Sequence, residues 1–337
     1  MKVLIIGGTG HISTAITPLF IEAGHDVTLY NMGKHKSLFD GKVRQISGDR
    51  MNYPEFEKNL ENESFDCVID MICFRPEDAL SDIRVFSGRV NHFIFASTVD
   101  VYTKPADSLP VYEDSSRIAN PAFDYAHMKV ECENLFMNAE KKGAFNLTIL
   151  RMAAISGEGR GLVHSFEGGL YHIDRLLRGK PIIVHGDGSS IWVTCHRDDA
   201  ARAYLGAAGN KKTFGKAYNI SGDEFMTWNQ YWTRAASALN APKPTLVHIP
   251  TDVLLRYPDI DASWCGYNFQ YNNMLDNSAS KKDLGFRYTI TWEENVRRVV
   301  GYLVERNMIP NSDENPVYDK ILSSWNRYLE SCGRELA

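Results

Sequence analysis

The chain has 337 residues, 44% of them hydrophobic and 23% charged, which supplies a full core for one large unit with a smaller lobe and excludes a disordered chain. Its formal net charge of −5 counts against a nucleic-acid binder, which normally carries a basic surplus. No apolar run approaches the roughly 18 residues a membrane span needs. The six cysteines form no C-x-x-C pair and read as reduced, mostly buried thiols of a cytoplasmic protein. A first strand beginning at Lys2, directly after Met1, leaves no room for a signal peptide.

In chain order, Val3–Ile6 reads as a buried strand and Ser13–Ala23 as a helix with Ile16, Leu19, Phe20 and Ala23 on one face. Further strands are expected at Val27–Tyr30, Val43–Ile46, Cys67–Asp70, His92–Ala96 and Asn146–Leu150. Continuous apolar strands separated by helices predict a parallel sheet covered on both faces, a doubly wound α/β fold of Rossmann type. After Arg151 the pattern changes. A glycine-rich stretch (Ser156–Gly161) leads to a helix at Ile173–Leu177 and a strand at Pro181–Val184. Asp198 is placed to cap a helix through Tyr204, and Ala217–Ile220 returns to the main sheet. A last helix sets Ile321, Leu322, Trp325, Tyr328 and Leu329 on one face, docked on its own lobe. The expected division is 1–155, rejoined by about 196–222, and a smaller lobe of 156–195 and 223–337.

Gly7-Gly8-Thr9-Gly10-His11-Ile12-Ser13 sits between the first strand and the first helix. Glycines there allow a tight turn and close approach of the backbone to a pyrophosphate, which the free N–H groups of the helix start would bind. Gly7, Gly10, His11 and Ile12 are therefore the expected cofactor contacts. Ser13 stands where a third glycine is usual; it is small enough for close packing and is able to cap. At the end of the second strand Asn31 holds the place of the acidic residue that binds the adenosine ribose. Lys34 and Lys36 follow, suited either to a 2′-phosphate or to solvent, so NAD and NADP both stay open.

Tyr125-Ala126-His127-Met128-Lys129 places a phenol and an ammonium four residues apart on one helical face. The ammonium favours the phenolate, making Tyr125 a proton donor or acceptor near neutral pH. The fifth strand runs into Ser97-Thr98-Val99-Asp100-Val101-Tyr102, which puts hydroxyls at a strand's carboxyl end, where ligands of parallel sheets lie.

These segments together resemble the extended short-chain dehydrogenase/reductases, the NAD-dependent epimerase/dehydratase group. Leu150-Arg151, the His185–Gly188 turn, the His196–Ala201 helix start, Tyr218–Gly222, and Asp276 with Ser280–Lys282 and Leu284–Phe286 extend the likeness over nearly the whole chain. Gly48-Asp49-Arg50 also resembles a branch that includes chloroplast stem-loop RNA-binding proteins. The resemblance implies that Thr98, Tyr125 and Lys129 are catalytic, that Asp49, Arg50 and Lys129 join the cofactor site, and that the protein is a homodimer. Ser97, Arg151, Trp192 and His196 are the expected substrate contacts.

The implied reaction is hydride transfer at a hydroxyl or carbonyl carbon of a sugar-like substrate. Two departures point away from an ordinary UDP-sugar. Trp192 stands where many such members carry an arginine beyond the Gly-Asp-Gly turn, and Ala154 where they carry an asparagine. An indole makes no charge-assisted bond to phosphate. Cys195, His196, Asp198 and Asp199 read as a helix cap with a packed histidine, and no metal is expected. The alternative function is a non-catalytic cofactor-binding scaffold or an RNA-binding protein of the same fold.

Overall fold

The computed structural model describes residues 1–33, 39, 41–167 and 169–335. In chain order the elements are β1 (Lys2–Ile6), α1 (Ser13–Glu22), β2 (Asp26–Asn31), β3 (Arg44–Ser47), α2 (Tyr53–Leu60), β4 (Cys67–Asp70), α3 (Pro76–Phe86), β5 (His92–Thr98), α4 (Asp124–Lys141), β6 (Asn146–Met152) and β7 (Ala154–Ser156). There follow α5 (Tyr171–Leu177), β8 (Ile182–His185), β9 (Ile191–Trp192), β10 (Thr194–His196), α6 (Arg197–Ala207), β11 (Lys216–Ile220), β12 (Met226–Thr227), α7 (Trp228–Ala238), β13 (Leu246–Ile249) and α8 (Thr251–Leu254). The chain ends with α9 (Ser278–Leu284), α10 (Trp292–Glu305) and α11 (Pro316–Glu335).

The chain divides into two compact units: 1–155 with 194–223 and 275–289, and 156–193 with 224–274 and 290–337. The first unit thus takes in α9, a segment that the sequence reading assigned to the lobe.

In the first unit seven strands form one sheet in the order β11-β6-β5-β4-β1-β2-β3. The paired strands run parallel. This is the Rossmann-type doubly wound arrangement, whose order reverses between β1 and β4 and so opens a crevice at the strands' carboxyl ends. The apolar runs have their reason in this layering. Val3 and Ile5 join one core with Ile16 and Phe20 of α1 and Ala200 and Tyr204 of α6. Leu4 and Ile6 join the other, with Phe56 of α2, Val85 and Phe86 of α3, and Cys132 and Phe136 of α4. Alternate residues of each strand face opposite sides, so both sides must be apolar.

The second unit is built differently. Trp192 of β9 packs on Trp228 and Phe269 at 4.8 and 5.0 Å between ring centres. Tyr231 stacks on Trp292 at 4.2 Å. The carbonyl of Phe269, which closes a π-helical turn at Cys265–Phe269, accepts from His185 Nε2, Ser190 Oγ and Trp228 Nε1. The α11 helix buries Tyr318, Ile321, Leu322 and Trp325 in the core of this unit, while Tyr328 and Leu329, on the same face, stay exposed. No helix among the described residues is long and apolar enough to cross a membrane. All six cysteines are free thiols, five of them buried.

Candidate active site

The site is assembled at the carboxyl ends of β1, β4 and β5. Gly7 has φ +80°, a conformation that suits glycine, and a Cβ there would lie 2.6 Å from Ile72 Cγ2. At Gly8 a Cβ would meet Leu29 Cδ2 at 2.5 Å, so a side chain there would have to displace the buried Leu29, which the spacing alone did not reveal. Gly10 differs. A Cβ there would meet only Gly7 O at 3.5 Å and Ser13 Oγ at 3.6 Å, so the protein itself has room for one.

Ile12 is the N-cap of α1 and no side chain caps the helix. Ser13 is buried and fills the glycine's packing role without capping. His11 and Ile12 are half-buried, and the His11 carbonyl accepts from Thr14 Oγ1. Asn31 Oδ1 lies 3.5 Å from Thr9 Oγ1, while its enclosed Nδ2 has no hydrogen-bond acceptor among the described residues. Lys34 and Lys36 lie outside the described residues.

Asp49 is exposed and its Oδ1 accepts the Met51 N–H. Arg50, expected at the cofactor, has another role. It is 3% exposed and pairs with Asp82 at 2.9 Å and Asp70 at 3.4 Å. It also donates to the Asp78 carbonyl and lies over the Phe56 ring. Burial pushes the Asp82 carboxyl well above the usual range, with Arg50 opposing. Asp70, Cys73 and Asp82 bring three ligand atoms within 4.8 Å of one another, but the guanidinium already supplies the cation there.

Lys129 is buried on α4 and its Nζ donates to the carbonyls of Cys73 and Ala96, both at 2.8 Å. It thereby ties α4 to the segment after β4 and to β5 two residues before Thr98. Phe74 and Phe95 place their rings beneath the same ammonium. Burial pulls its pKa down, with Cys73, Cys132, Asp70 and Glu133 opposing. An ammonium has three donors, so two carbonyls leave one proton to point elsewhere. Tyr125, half-buried one turn earlier on α4, packs near Phe74 and Phe123. Thr98 ends β5, and its Oγ1 donates to Asp100 Oδ2 at 2.8 Å and accepts the Asp100 N–H at 3.2 Å.

The neighbouring residues proposed for substrate are held by a group that the sequence reading missed. Glu133 is fully buried one turn beyond Lys129. It accepts from Ser97 Oγ at 2.6 Å, from Arg117 at 2.6 Å, and from Arg151 at 3.0 and 2.8 Å. Arg151 also donates to Tyr102 Oη and the Glu113 carbonyl. Ser97 and Arg151 therefore hold the framework together and do not present free groups to a substrate. The signal was available: Tyr125, Lys129 and Glu133 fall at i, i+4 and i+8 on one helical face. His196, also expected at substrate, is buried as the N-cap of α6, its ring nitrogen accepting the Asp198 N–H at 3.2 Å. The cap is thus His196 and not Asp198. Trp192 is 4% exposed in the aromatic core of the second unit, which makes it a packing residue.

The parallel sheet with its glycine turn, and the Tyr-x-x-x-Lys helix fastened to the end of β5, define the extended short-chain dehydrogenase/reductase class, to which the chain belongs. Residues 78–221 match the NAD dependent epimerase/dehydratase family, a span that holds Thr98, Tyr125 and Lys129 but not the glycine turn. Among curated relatives, the chain is 31% identical to chloroplast stem-loop binding protein of 41 kDa b of Arabidopsis thaliana, over 73% of this chain and 65% of that protein. It is 24% identical to 2'-dehydrokanamycin reductase of Streptomyces kanamyceticus, over 72% and 68%. The chain thus spans about two thirds of the length of these relatives. The UDP-glucuronic acid 4-epimerase of Bacillus cereus, solved in complex with NAD, shares the fold with a TM-score of 0.68 at 17% identity, covering 91% of this chain and 99% of that one.

Proposed function

We propose that the chain is an NAD-dependent oxidoreductase or epimerase acting at a hydroxyl or carbonyl carbon of a sugar-like small molecule. The observation that carries this reading is Lys129, whose two carbonyl bonds lock the Tyr125 helix across the ends of β4 and β5, beside Thr98 and the glycine turn. The residues fit a dinucleotide. The uncapped start of α1, the room at Gly10 and the unsatisfied Asn31 Nδ2 suit pyrophosphate and adenosine ribose in turn. When bound, the cofactor supplies the hydride acceptor or donor. Tyr125 takes the proton from the substrate hydroxyl, or returns it to a carbonyl. Thr98 hydrogen-bonds the same oxygen and fixes its position. Lys129 turns its remaining proton to the nicotinamide ribose, and its charge favours the Tyr125 phenolate.

The substrate is not an ordinary UDP-sugar. Trp192 sits in a core and offers nothing to a diphosphate. Arg151 is held by Glu133, and in the second unit Arg175, Arg178 and Arg234 are paired with carboxylates. The relative named for 2'-dehydrokanamycin is in keeping with a substrate outside that class. Titration of UDP-glucose, UDP-galactose and UDP-glucuronate against the NAD-loaded protein, beside free sugars and glycosides, tests the point. Binding and turnover among the free sugars and glycosides are expected, and turnover of a UDP-sugar overturns the proposal.

A second reading, an RNA-binding protein on the same fold, is favoured by the plant relative. Retention of a stem-loop RNA at physiological salt, without cofactor turnover, would select it.

A further inference from the structure

Phe74 is a large apolar side chain in an exposed position, with 44% of it open to solvent beside α4. An exposed aromatic on a loose loop is ordinary, but this loop is fastened at successive residues. Asp70 Oδ1 accepts the Ile72 N–H at 2.7 Å, and the Cys73 carbonyl accepts from Lys129. Asp78 Oδ2 accepts the N–H groups of Phe74 and Arg75 at 2.9 and 3.0 Å. Asp78 is held in turn by the Tyr53 hydroxyl and, through its carbonyl, by Arg50. The buried Arg50 cluster, which has no part in the proposed chemistry, thus fixes the backbone that carries Phe74. The Phe74 ring centre lies 4.8 Å from Lys129 Nζ and 6.5 Å from the centre of the Tyr125 ring. Cys73, Phe95 and Ala96, which also touch the ammonium, are buried. Phe74 is therefore the neighbour that stands between Lys129 and solvent, and Lys129 is only 2% exposed behind it.

We propose that Phe74 is a positioning residue that keeps water off the Lys129 ammonium, so that its charge reaches Tyr125 unscreened. The proposal rests on the reading of Lys129 as the group that favours the Tyr125 phenolate. Two charges act on one another more strongly in a dry setting than in water. A ring contact uses the charge of the ammonium and not a proton, so the third proton stays available to the ribose. The titratable groups around the ammonium are Asp70 and Cys73 at the end of β4, and Cys132 and Glu133 on α4. Burial holds Lys129 below the ordinary lysine range against the pull of these four, as a dry ammonium requires. With the Phe74 ring cut away, water enters beside Nζ and screens its charge, and Tyr125 becomes a weaker acid. Spacing did not single out Phe74, because one phenylalanine after a strand carries no periodic signal.

Two measurements on the cofactor-free protein test the proposal. In the first, acetic anhydride is applied briefly and acetylation of Lys129 is read by peptide mass spectrometry. Phe74→Ala should raise its rate roughly tenfold or more, and Phe74→Trp, which keeps a ring over the charge, should stay near the wild-type rate. Hydrogen exchange along α4 should be the same in all three proteins. An unchanged rate in Phe74→Ala, or a rise matched by faster exchange along α4, overturns the proposal. In the second, Tyr125 is followed through its ring carbon Cζ by magnetic resonance as the pH rises, with Tyr125→Phe identifying the signal. Its acid constant should fall roughly threefold in Phe74→Ala, about 0.7 kcal/mol, and recover in Phe74→Trp. Lys129 should keep its proton until Tyr125 has lost its own, which the Lys129 Cε signal reports. Loss from Lys129 first, or an acid constant that Phe74→Ala leaves unchanged, overturns the proposal. Lys129→Met separates this from the reading beneath it. If that variant leaves Tyr125 as acidic as the wild type, the pairing of Lys129 with Tyr125 fails and takes the proposal with it. If it weakens Tyr125 while Phe74→Ala does not, the proposal alone fails and the pairing stands.

Discussion

All six tryptophans lie in the second unit and none in the first. The first unit directs its polar groups to the carboxyl ends of parallel strands, where Thr98, Lys129 and the glycine turn meet. The second buries its histidines among rings and keeps them neutral, while its buried Arg175 is paired with Asp319. His164 and His172 stack at 4.8 Å against the Trp232 indole. His172 bonds the Leu162 carbonyl, and His185 bonds Ser165 and the Phe269 carbonyl. Burial holds His172 and His185 down at about 4 and pulls His164 well below its ordinary value. Backbone carbonyls hold the charged Lys129 of the first unit, whereas side-chain packing keeps the buried histidines of the second uncharged.

The sharpest way to break the comparison is to remove the charged hub of the first unit. Glu133→Ala leaves Arg151 buried without its carboxylate, and should cost about 3–5 kcal/mol of stability, read from denaturant unfolding followed by circular dichroism. A cost under about 1 kcal/mol would show that the network is not what fixes α4.

Next comes chemistry. Tyr125→Phe should lower turnover by roughly 10²-fold or more, while calorimetry finds NAD+ affinity unchanged. Near-normal turnover would remove Tyr125 from the mechanism.

The third test belongs to the second unit. Unfolded histidines take up protons below about 6.5, whereas folded His172 and His185 resist until about 4. Their contribution is therefore intact above pH 6.5 and is lost as the pH falls from 6.5 to 4. At pH 5 each should have removed roughly 2 kcal/mol. His92 in the first unit, also lowered to about 4, behaves alike. Tryptophan fluorescence reports the second unit alone, so unfolding at pH 7 and pH 5 can be followed there directly. A midpoint unchanged between the two would contradict the neutral burial of these rings.

The smallest expected effect on the protein itself is that of Gly10→Val. The room around Gly10 predicts an almost unchanged melting temperature and NAD+ affinity weakened at least tenfold. Unaltered affinity would place the nucleotide elsewhere.

The two units also differ in how much of them the sequence discloses. The strands of the sheet, the glycine turn, and Tyr125 with Lys129 follow from periodicities and spacings that backbone geometry imposes. Arg50 misled through the family resemblance, and Ser97 and Arg151 because a charged or polar residue at a strand end reads as a ligand contact; only the fold reveals that Asp82 and Glu133 were already waiting for them. Trp192 misled for a complementary reason. An aromatic beyond a turn can stack on a sugar or fill a core, and that choice depended on Trp228 and Phe269, respectively 36 and 77 positions further along the chain. His196 was read as a packed histidine beside a cap and proved to be the cap.

The central claim is that Tyr125 moves a proton while a bound nicotinamide cofactor exchanges a hydride. It is tested most directly by following reduced nicotinamide formed from NAD+ by the wild type and by Tyr125→Phe, across one panel of free sugars and glycosides. The account predicts a signal in the wild type that falls at least about 10²-fold in the variant. Equal signals from the two proteins, or no signal from either together with stem-loop RNA retained at physiological salt, would contradict it.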